Sequence, residues 1–214
     1  MIYHYKKINS LKDFKNREDQ IGILERNTPP EADFFFKKLY QTPFSISGHV
    51  CKKNSKSDIH KLLKSEIPAK IQYDPFYENW LVDMSNICKI FCSMQAEKKI
   101  SFWLGSQRGC KRYHIDVVPF RLLVTYSGQG TEILPNEAAD RNAFIQGESN
   151  EKIVRDKSKL MHLSDWDISI FRGGKNGILH RTPNSALEGK SSVLMRLDHE
   201  DYLTEIYKIN GAYG

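Results

Sequence analysis

Residues 100–134, ISFWLGSQRGCKRYHIDVVPFRLLVTYSGQGTEIL, open a half of the chain that is rich in β-branched and aromatic residues. Gly, Pro and Asn divide this half into short apolar runs, a pattern typical of strands joined by turns. The runs predict strands at residues 101–105, 112–117, 120–127, 131–134, 168–172, 177–181 and 192–198. We expect residues 173–177 to turn a hairpin between two of them. Strands at this spacing favour a sandwich or a jelly-roll barrel.

The first half of the chain carries the helical signals. Asp74-Pro75 is a helix start, because Asp caps free amide groups and Pro tolerates the first helical position. An apolar stripe at spacings of three and four then predicts a helix over residues 75–97. Shorter elements are predicted as strands at 20–25 and 44–51 and as helices after Thr28 and at 58–65. We therefore expect one α+β domain over residues 1–214, with a largely helical part (1–98) backing a jelly-roll β core (99–214).

Composition limits the partners of the chain. The 32 Lys and Arg residues exceed the 26 Asp and Glu residues by 6, and this excess permits nucleic-acid binding without indicating it. No apolar run approaches the ~18 residues of a membrane span, and the N-terminus lacks an apolar export signal. We expect a cytoplasmic protein with no membrane partner, and the sequence does not indicate its oligomeric state. Phosphate-loop, serine-esterase and zincin motifs are absent from the sequence.

A possible metal site begins at His114-Ile115-Asp116. Side chains two positions apart on a strand share a face, so the imidazole of His114 and the carboxylate of Asp116 should project together. With His180 from a later predicted strand they would form a two-histidine, one-carboxylate site of the kind that binds Fe(II). The alternative is that both histidines are hydrogen-bonded polar residues of the core. Arg196, on the last predicted strand, could form a two-point salt bridge with the carboxylate of a small acid.

Cys110 leaves the identity of the bound metal undecided. Its thiolate could join His114 and His180 in a zinc site, because sulfur and imidazole suit tetrahedral Zn(II), or it could be an inert buried thiol.

Extra cations surround these residues in the sequence. Arg112, Arg121 and Arg181 could anchor an acidic substrate, or they could pair with carboxylates such as Glu132 and Asp198 in a structural network. The polar segment 136–165, with one weakly helical stretch, is long for an ordinary connection. We expect it to be either a lid or a loose surface loop.

The order of these motifs resembles that of the iron and 2-oxoglutarate-dependent oxygenases over about residues 100 to 200. More closely, Cys110-x3-His114-x-Asp116, with Val118-Pro119-x-Arg121 and Gly130-Thr-Glu, is similar to a bacterial family of unknown function often encoded near zinc-handling proteins. The oxygenase resemblance implies a double-stranded β-helix (jelly-roll, cupin-like) core.

In that resemblance, His114, Asp116 and His180 bind Fe(II), and Arg196 binds the distal carboxylate of 2-oxoglutarate. Tyr126 or Thr125 would support the co-substrate by a hydrogen bond. The two residues face opposite ways on one predicted strand, and we assign the role to Tyr126.

Three hypotheses follow. The first is an Fe(II)/2-oxoglutarate-dependent dioxygenase that hydroxylates an unidentified small-molecule or protein substrate. The second is a non-catalytic zinc-binding cupin-like protein of metal homeostasis, which holds zinc through His114, His180 and either Cys110 or Asp116. The third is a barrel that binds a ligand without a metal.

Overall fold

The computed structural model describes residues 1–39, 43–187 and 192–212, and in them ten strands form two sheets. The large sheet has the strand order β1-β2-β8-β5-β10-β4-β3, and the small sheet has the order β7-β6-β9. The strands are β1 (Ile2–Tyr5), β2 (Ile21–Leu24), β3 (Ser45–Cys51), β4 (Lys99–Gly105), β5 (Phe120–Ser127), β6 (Glu132–Leu134), β7 (Met161–His162), β8 (Ile168–Arg172), β9 (Leu179–Arg181) and β10 (Val193–Asp198).

Eight α-helices and four 3-10 helices, the longest of the latter being Ile8–Asn16, lie in the described part of the chain. The α-helices are α1 (Ala32–Leu39), α2 (Ser55–Lys64), α3 (Ala69–Gln72), α4 (Pro75–Gln95), α5 (Arg141–Ile145), α6 (Asn150–Ile153), α7 (Asn184–Leu187) and α8 (Tyr202–Ala212). The predicted start of α4 is confirmed, because the side chain of Asp74 accepts a hydrogen bond from the amide of Phe76 at 3.0 Å. The helix ends where Ala96 adopts a left-handed conformation with φ 62°. No helix in the described residues is long and apolar enough to cross a membrane.

Three clusters of buried apolar side chains hold the layers of the structure together. The largest lies between the helices and one face of the large sheet and contains Trp80 and Phe36. The second lies between the two sheets, where Leu123 and Leu194 of the large sheet meet Ile133 of the small sheet. The third covers the outer face of the small sheet. The chain is thus an α+β protein with a large β-sheet, helices on one face of that sheet and a small sheet on the other.

The segment 136–165 packs against the outer face of the small sheet. It holds two short α-helices, α5 and α6, instead of one helical stretch. Ile153 is buried in a cluster with Tyr113 and Leu179, and Asn150 accepts a hydrogen bond from the amide of Tyr113 at 3.1 Å. The segment is therefore bound to the chain that leads into His114.

Two predictions about local structure are wrong. Residues 112–117 do not form a regular strand, since only His114 pairs, in an isolated antiparallel bridge to His180. Residues 173–177 do not turn a hairpin, because β8 belongs to the large sheet and β9 to the small one. This turn packs tightly on the proposed ligand segment. The amide of Gly174 donates to the carbonyl of Asp116 at 2.8 Å, and a Cβ on Gly173 would lie 1.9 Å from the carbonyl oxygen of Val118.

Candidate metal centre

His114, Asp116 and His180 come together between the two sheets. One ligand atom from each of these residues lies within 4.8 Å of the others. The backbones of His114 and His180 exchange two hydrogen bonds of 3.1 Å, which places their imidazoles side by side with ring centroids 4.4 Å apart. Phe171 of the large sheet lies against the His180 ring, with a centroid distance of 4.5 Å. The bridge therefore holds the two imidazoles on one side of the small sheet, facing the large sheet.

Both imidazoles are oriented by a backbone carbonyl. Nδ1 of His114 lies 3.1 Å from the carbonyl oxygen of Arg112, and Nδ1 of His180 lies 3.1 Å from that of Ile178. Because a carbonyl only accepts hydrogen bonds, the neutral form of each ring carries its proton on Nδ1 and its lone pair on Nε2. This is the tautomer in which Nε2 can ligate a metal.

Asp116 presents one oxygen to the same space. Its Oδ1 accepts a hydrogen bond from Nη1 of Arg121, whereas its Oδ2 is buried and has no hydrogen-bond partner among the described residues. Oδ2 lies 3.4 Å from Nε2 of His180. Burial lowers the pKa of His180 to about 4, and although the nearby charge of Asp116 opposes this, the ring is neutral at neutral pH. Two lone pairs thus face each other, an arrangement that a cation between them would stabilise.

Arg121 connects this carboxylate to a second buried one. Its Nε donates to Oδ1 of Asp198 at 2.7 Å, while Nη1 binds Asp116. Burial alone would lower the pKa of Arg121, but the two carboxylates outweigh burial and raise it, so the guanidinium stays charged. Arg196 extends the cluster, with Nε 3.1 Å from Oδ2 of Asp198. Both guanidinium groups lie 5.1 Å from the ring centre of Tyr202, at the start of α8.

The pairing of the extra cations favours the structural network predicted as one of two alternatives. Arg121 pairs with Asp198, as above. On the outer face of the small sheet, Arg181 binds both carboxylate oxygens of Glu132, with Nε at 2.6 Å, and Tyr113 donates to the same carboxylate. These carboxylates hold the two arginines, so neither is a free anchor for an acidic substrate.

Tyr126 does not belong to the centre, and its assignment as a co-substrate residue is wrong. Along β5, side chains alternate between the two faces, and Tyr126 falls on the helix-facing side. Its hydroxyl donates to Oδ2 of Asp83 at 2.8 Å, and its ring packs against Trp80. Thr125, the alternative, pairs with Leu194 of the inter-sheet cluster and faces the small sheet.

Cys110 also stands apart from the three converging residues. It is an exposed free thiol, and the group of possible ligand atoms within 4.8 Å does not include it. Its carbonyl accepts a hydrogen bond from the amide of Thr182, which places it further along the small sheet than His114. The structure therefore gives no support to the zinc site that uses Cys110.

Two neighbours of the centre were not predicted from the sequence. Because side chains alternate along β8, Phe171 could have been predicted to face the small sheet if it had been known which face of that strand the helices cover. Tyr202 has no such signal, because it begins a helix that follows the last strand and reaches the two arginines only through the tertiary fold.

Comparisons with known proteins show the family of this chain. Its residues 6–198 match a family model described as "Protein of unknown function (DUF1826)". None of the curated proteins compared with the chain matches it.

Several solved structures are similar to the chain at low sequence identity. A provisionally named oxygenase from Shewanella oneidensis is 10% identical, with 99% of this chain and 98% of that chain covered and a TM-score of 0.44. The Fe(II)/α-ketoglutarate-dependent dioxygenase TqaL is 9% identical, with coverages of 90% and 87% and a TM-score of 0.43. A provisionally named 2OG-Fe(II) oxygenase family protein from Caulobacter crescentus is 11% identical, with coverages of 93% and 86% and a TM-score of 0.40. The match to the family model covers nearly the whole chain, and the chain belongs to the DUF1826 family of proteins of unknown function.

Proposed function

We propose that this chain is an Fe(II)/2-oxoglutarate-dependent oxygenase that hydroxylates a substrate, with His114, Asp116 and His180 as the iron ligands. One observation carries the proposal. One ligand atom from each of two carbonyl-oriented imidazoles and one from a buried aspartate converge within 4.8 Å, and Oδ2 of that aspartate has no hydrogen-bond partner among the described residues. Buried carboxylate oxygens normally have a hydrogen-bond partner, so an atom without one needs an explanation.

The donor set fits the proposed ion. Two neutral imidazoles and one carboxylate on one side of a metal are the ligands of mononuclear Fe(II) oxygenases, and they leave other coordination positions open. When bound, Fe(II), 2-oxoglutarate and dioxygen supply the oxidising chemistry of the reaction. The protein's contribution is to fix the ligands before the ion arrives. The carbonyls of Arg112 and Ile178 set the two rings, and Arg121 holds Oδ1 of Asp116 so that Oδ2 points to the site.

The strand order supports a double-stranded β-helix, the jelly-roll fold that we propose for the β core. From β4 onward, successive segments alternate between the sheets. β4 lies in the large sheet, the His114 segment lies beside β9 of the small sheet, β5 lies in the large sheet, and β6 and β7 lie in the small sheet. The chain then returns to the large sheet at β8, the small sheet at β9 and the large sheet at β10. Two facing layers of four segments, β8-β5-β10-β4 and β7-β6-β9 with His114, result from this path.

Arg196 is the residue that we propose for the distal carboxylate of 2-oxoglutarate. It pairs with Leu123 across β5 and so faces the small sheet, on the side of the proposed ligands. Only its Nε lies against Asp198, and its two terminal nitrogens donate no hydrogen bond to a described residue. A guanidinium with both terminal groups available can bind a carboxylate through two parallel hydrogen bonds.

Anaerobic metal titration and co-substrate turnover test this proposal. Untagged, metal-free protein should bind one equivalent of Fe(II). It should then decarboxylate 2-oxoglutarate to succinate and CO2 with consumption of dioxygen, while added ascorbate reduces the second oxygen atom to water in the absence of a substrate, and succinate is measured by chromatography. Binding of zinc without succinate formation under any metal would instead support the non-catalytic zinc protein. Failure to retain any divalent ion would refute the metal centre.

A further inference from the structure

A groove of about 1110 Å³ lies beside the proposed ligand segment. Its walls come from the N-terminal part of the chain, from the start of the 136–165 segment and from the turn between β8 and β9. Ile115 lines it and stands between His114 and Asp116 in the sequence. The groove and the proposed metal centre therefore share one piece of chain as a wall.

The groove is positively charged. Four cations line it, Arg17, Arg141, Arg172 and Lys175, against one acid, Glu18. Of the cations, Arg17 forms an ion pair with Asp19 at 2.8 Å. The other three form no ion pair with any carboxylate in the described parts of the chain.

Arg141 is the best placed of these cations to meet a ligand. Its Nη2 donates to Oδ1 of Asn136 at 2.5 Å and to the carbonyl of Gly177 at 2.7 Å, and both acceptors are neutral. Its Nε and Nη1 donate to no described residue. Burial lowers the pKa of Arg141, as expected for a desolvated cation without an anionic partner. A partly buried guanidinium that is held in place yet uncompensated is suited to bind an anion.

Apolar side chains stand next to this charge. Phe144 and Ile145, on the same short helix as Arg141, line the groove together with Ile115. Ile145 is 77% exposed, so its apolar surface is accessible to a ligand in the groove. A ligand that filled the groove would cover apolar surface while its charged end met Arg141.

We propose that the groove binds a small organic anion, with a carboxylate or phosphate on Arg141 and an apolar body against Phe144 and Ile145. None of the three proposed metal ligands lines the groove, so we assign these anions to a binding site beside the metal centre and not to the reaction at the metal. The volume of the groove, about 1110 Å³, is slightly above the range for small-molecule sites, about 300–1,000 Å³, so a small anion fits with room to spare.

Isothermal titration calorimetry of the full-length, metal-free protein tests the groove with four probes. Hexanoate and hexyl phosphate carry an anion and an apolar body, acetate lacks the body, and hexylamine reverses the charge. We expect one or both of the first two to bind at least tenfold more tightly than acetate and hexylamine. The tighter of the two identifies the anionic group. Equal binding of hexylamine, or no binding of either hexyl anion, would overturn the proposal.

Three variants locate the site. Arg141→Gln should weaken binding of the hexyl anion at least tenfold, and Ile145→Ser several-fold. The matched control is Arg155→Gln, because Arg155 lies in the same segment but is exposed, pairs with Asp140 and does not line the groove. If Arg141→Gln does not fold, Lys175→Gln, at an exposed turn position, takes its place with an expected weakening of several-fold. Unchanged affinity in the folded groove variants would refute the assignment.

A Co(II) titration of the same proteins separates this proposal from the proposed function. Anion binding without cobalt binding in the wild type would retain the groove and refute the metal centre. Cobalt binding without anion binding would retain the centre and refute the groove.

Discussion

Replacing Arg121 by methionine should destabilise the protein more than any other single change at the centre. Arg121 lies between Asp116 and Asp198, whose side chains are 1% and 2% exposed, and its own side chain is 12% exposed. Removing it leaves two carboxylates buried without their shared cation. Breaking a buried ion pair in this way costs about 3–5 kcal/mol of unfolding free energy. At roughly 2–4 °C per kcal/mol for a chain of this size, the melting temperature should fall by about 6–20 °C.

The structure also predicts what should reverse the loss. Asp198→Asn in the Arg121→Met background leaves one buried carboxylate, Asp116, for the one remaining guanidinium, Arg196, so the double variant should be more stable than Arg121→Met alone. A divalent ion bound at Asp116 would supply positive charge to the other carboxylate, so Co(II) should raise the melting temperature of Arg121→Met more than that of the wild type.

Urea unfolding followed by circular dichroism measures these free energies. The matched control is Arg155→Met, which removes an exposed arginine whose ion pair with Asp140 spans 3.4 Å and should leave the unfolding free energy nearly unchanged. A loss below about 1 kcal/mol in Arg121→Met, or further destabilisation when Asp198→Asn is added, would refute the view that Arg121 balances two buried charges.

Three further predictions concern the centre and a half-buried acid elsewhere. His114→Ala and His180→Ala should each abolish Co(II) binding in a spectroscopic titration with circular dichroism unchanged, whereas His162→Ala should bind as the wild type does; retained binding in both of the first two would contradict the ligand assignment. Arg196→Ala should weaken 2-oxoglutarate binding at least tenfold in calorimetry of the cobalt-loaded protein without releasing the metal, and unchanged affinity would remove Arg196 from the co-substrate site. Burial, with Asp33 and Asp167 nearby, raises the folded-state pKa of Asp165 from 3.8 to about 6, so stability should fall as pH rises from about 4 to 6. Asp165→Asn should remove that loss and gain about 1 kcal/mol at pH 7 after allowance for partial exposure, with little gain at pH 3.5, and a gain independent of pH would refute this cause.

Local patterning predicted the regular elements of the β core well. The strands at 120–127 and 168–172 agree with β5 and β8 to the residue, because each is an apolar run bounded by turn residues. The start of α4 follows from the Asp74-Pro75 signal in the same way. Such elements are specified by residues that lie within the element itself.

The conformation of the connecting segments and the orientation of the strands could not be predicted from local patterning. The pattern at 112–117 has the period of a strand, yet only His114 pairs, since the adjacent turn with Gly173 and Gly174 packs against the backbone of Asp116 and Val118. The surroundings of the Tyr126 side chain depend on which face of β5 the helices cover, and the alternation of side chains along a strand does not determine that.

The same contact explains how a non-regular segment can hold ligands in place. A metal centre needs its donors fixed before the ion binds, and a strand would normally provide this through ladder hydrogen bonds. Here the two-residue spacing of His114 and Asp116 is fixed from both ends, by the bridge to His180 on one side and by the amide of Gly174 on the other. Because a side chain at Gly173 would collide with the carbonyl of Val118, the turn can approach this closely only with glycine at that position. Ile115, between the two fixed points, forms part of the wall of the anionic-ligand groove. A ligand in the groove and an ion at the centre would therefore contact opposite sides of the same constrained backbone segment.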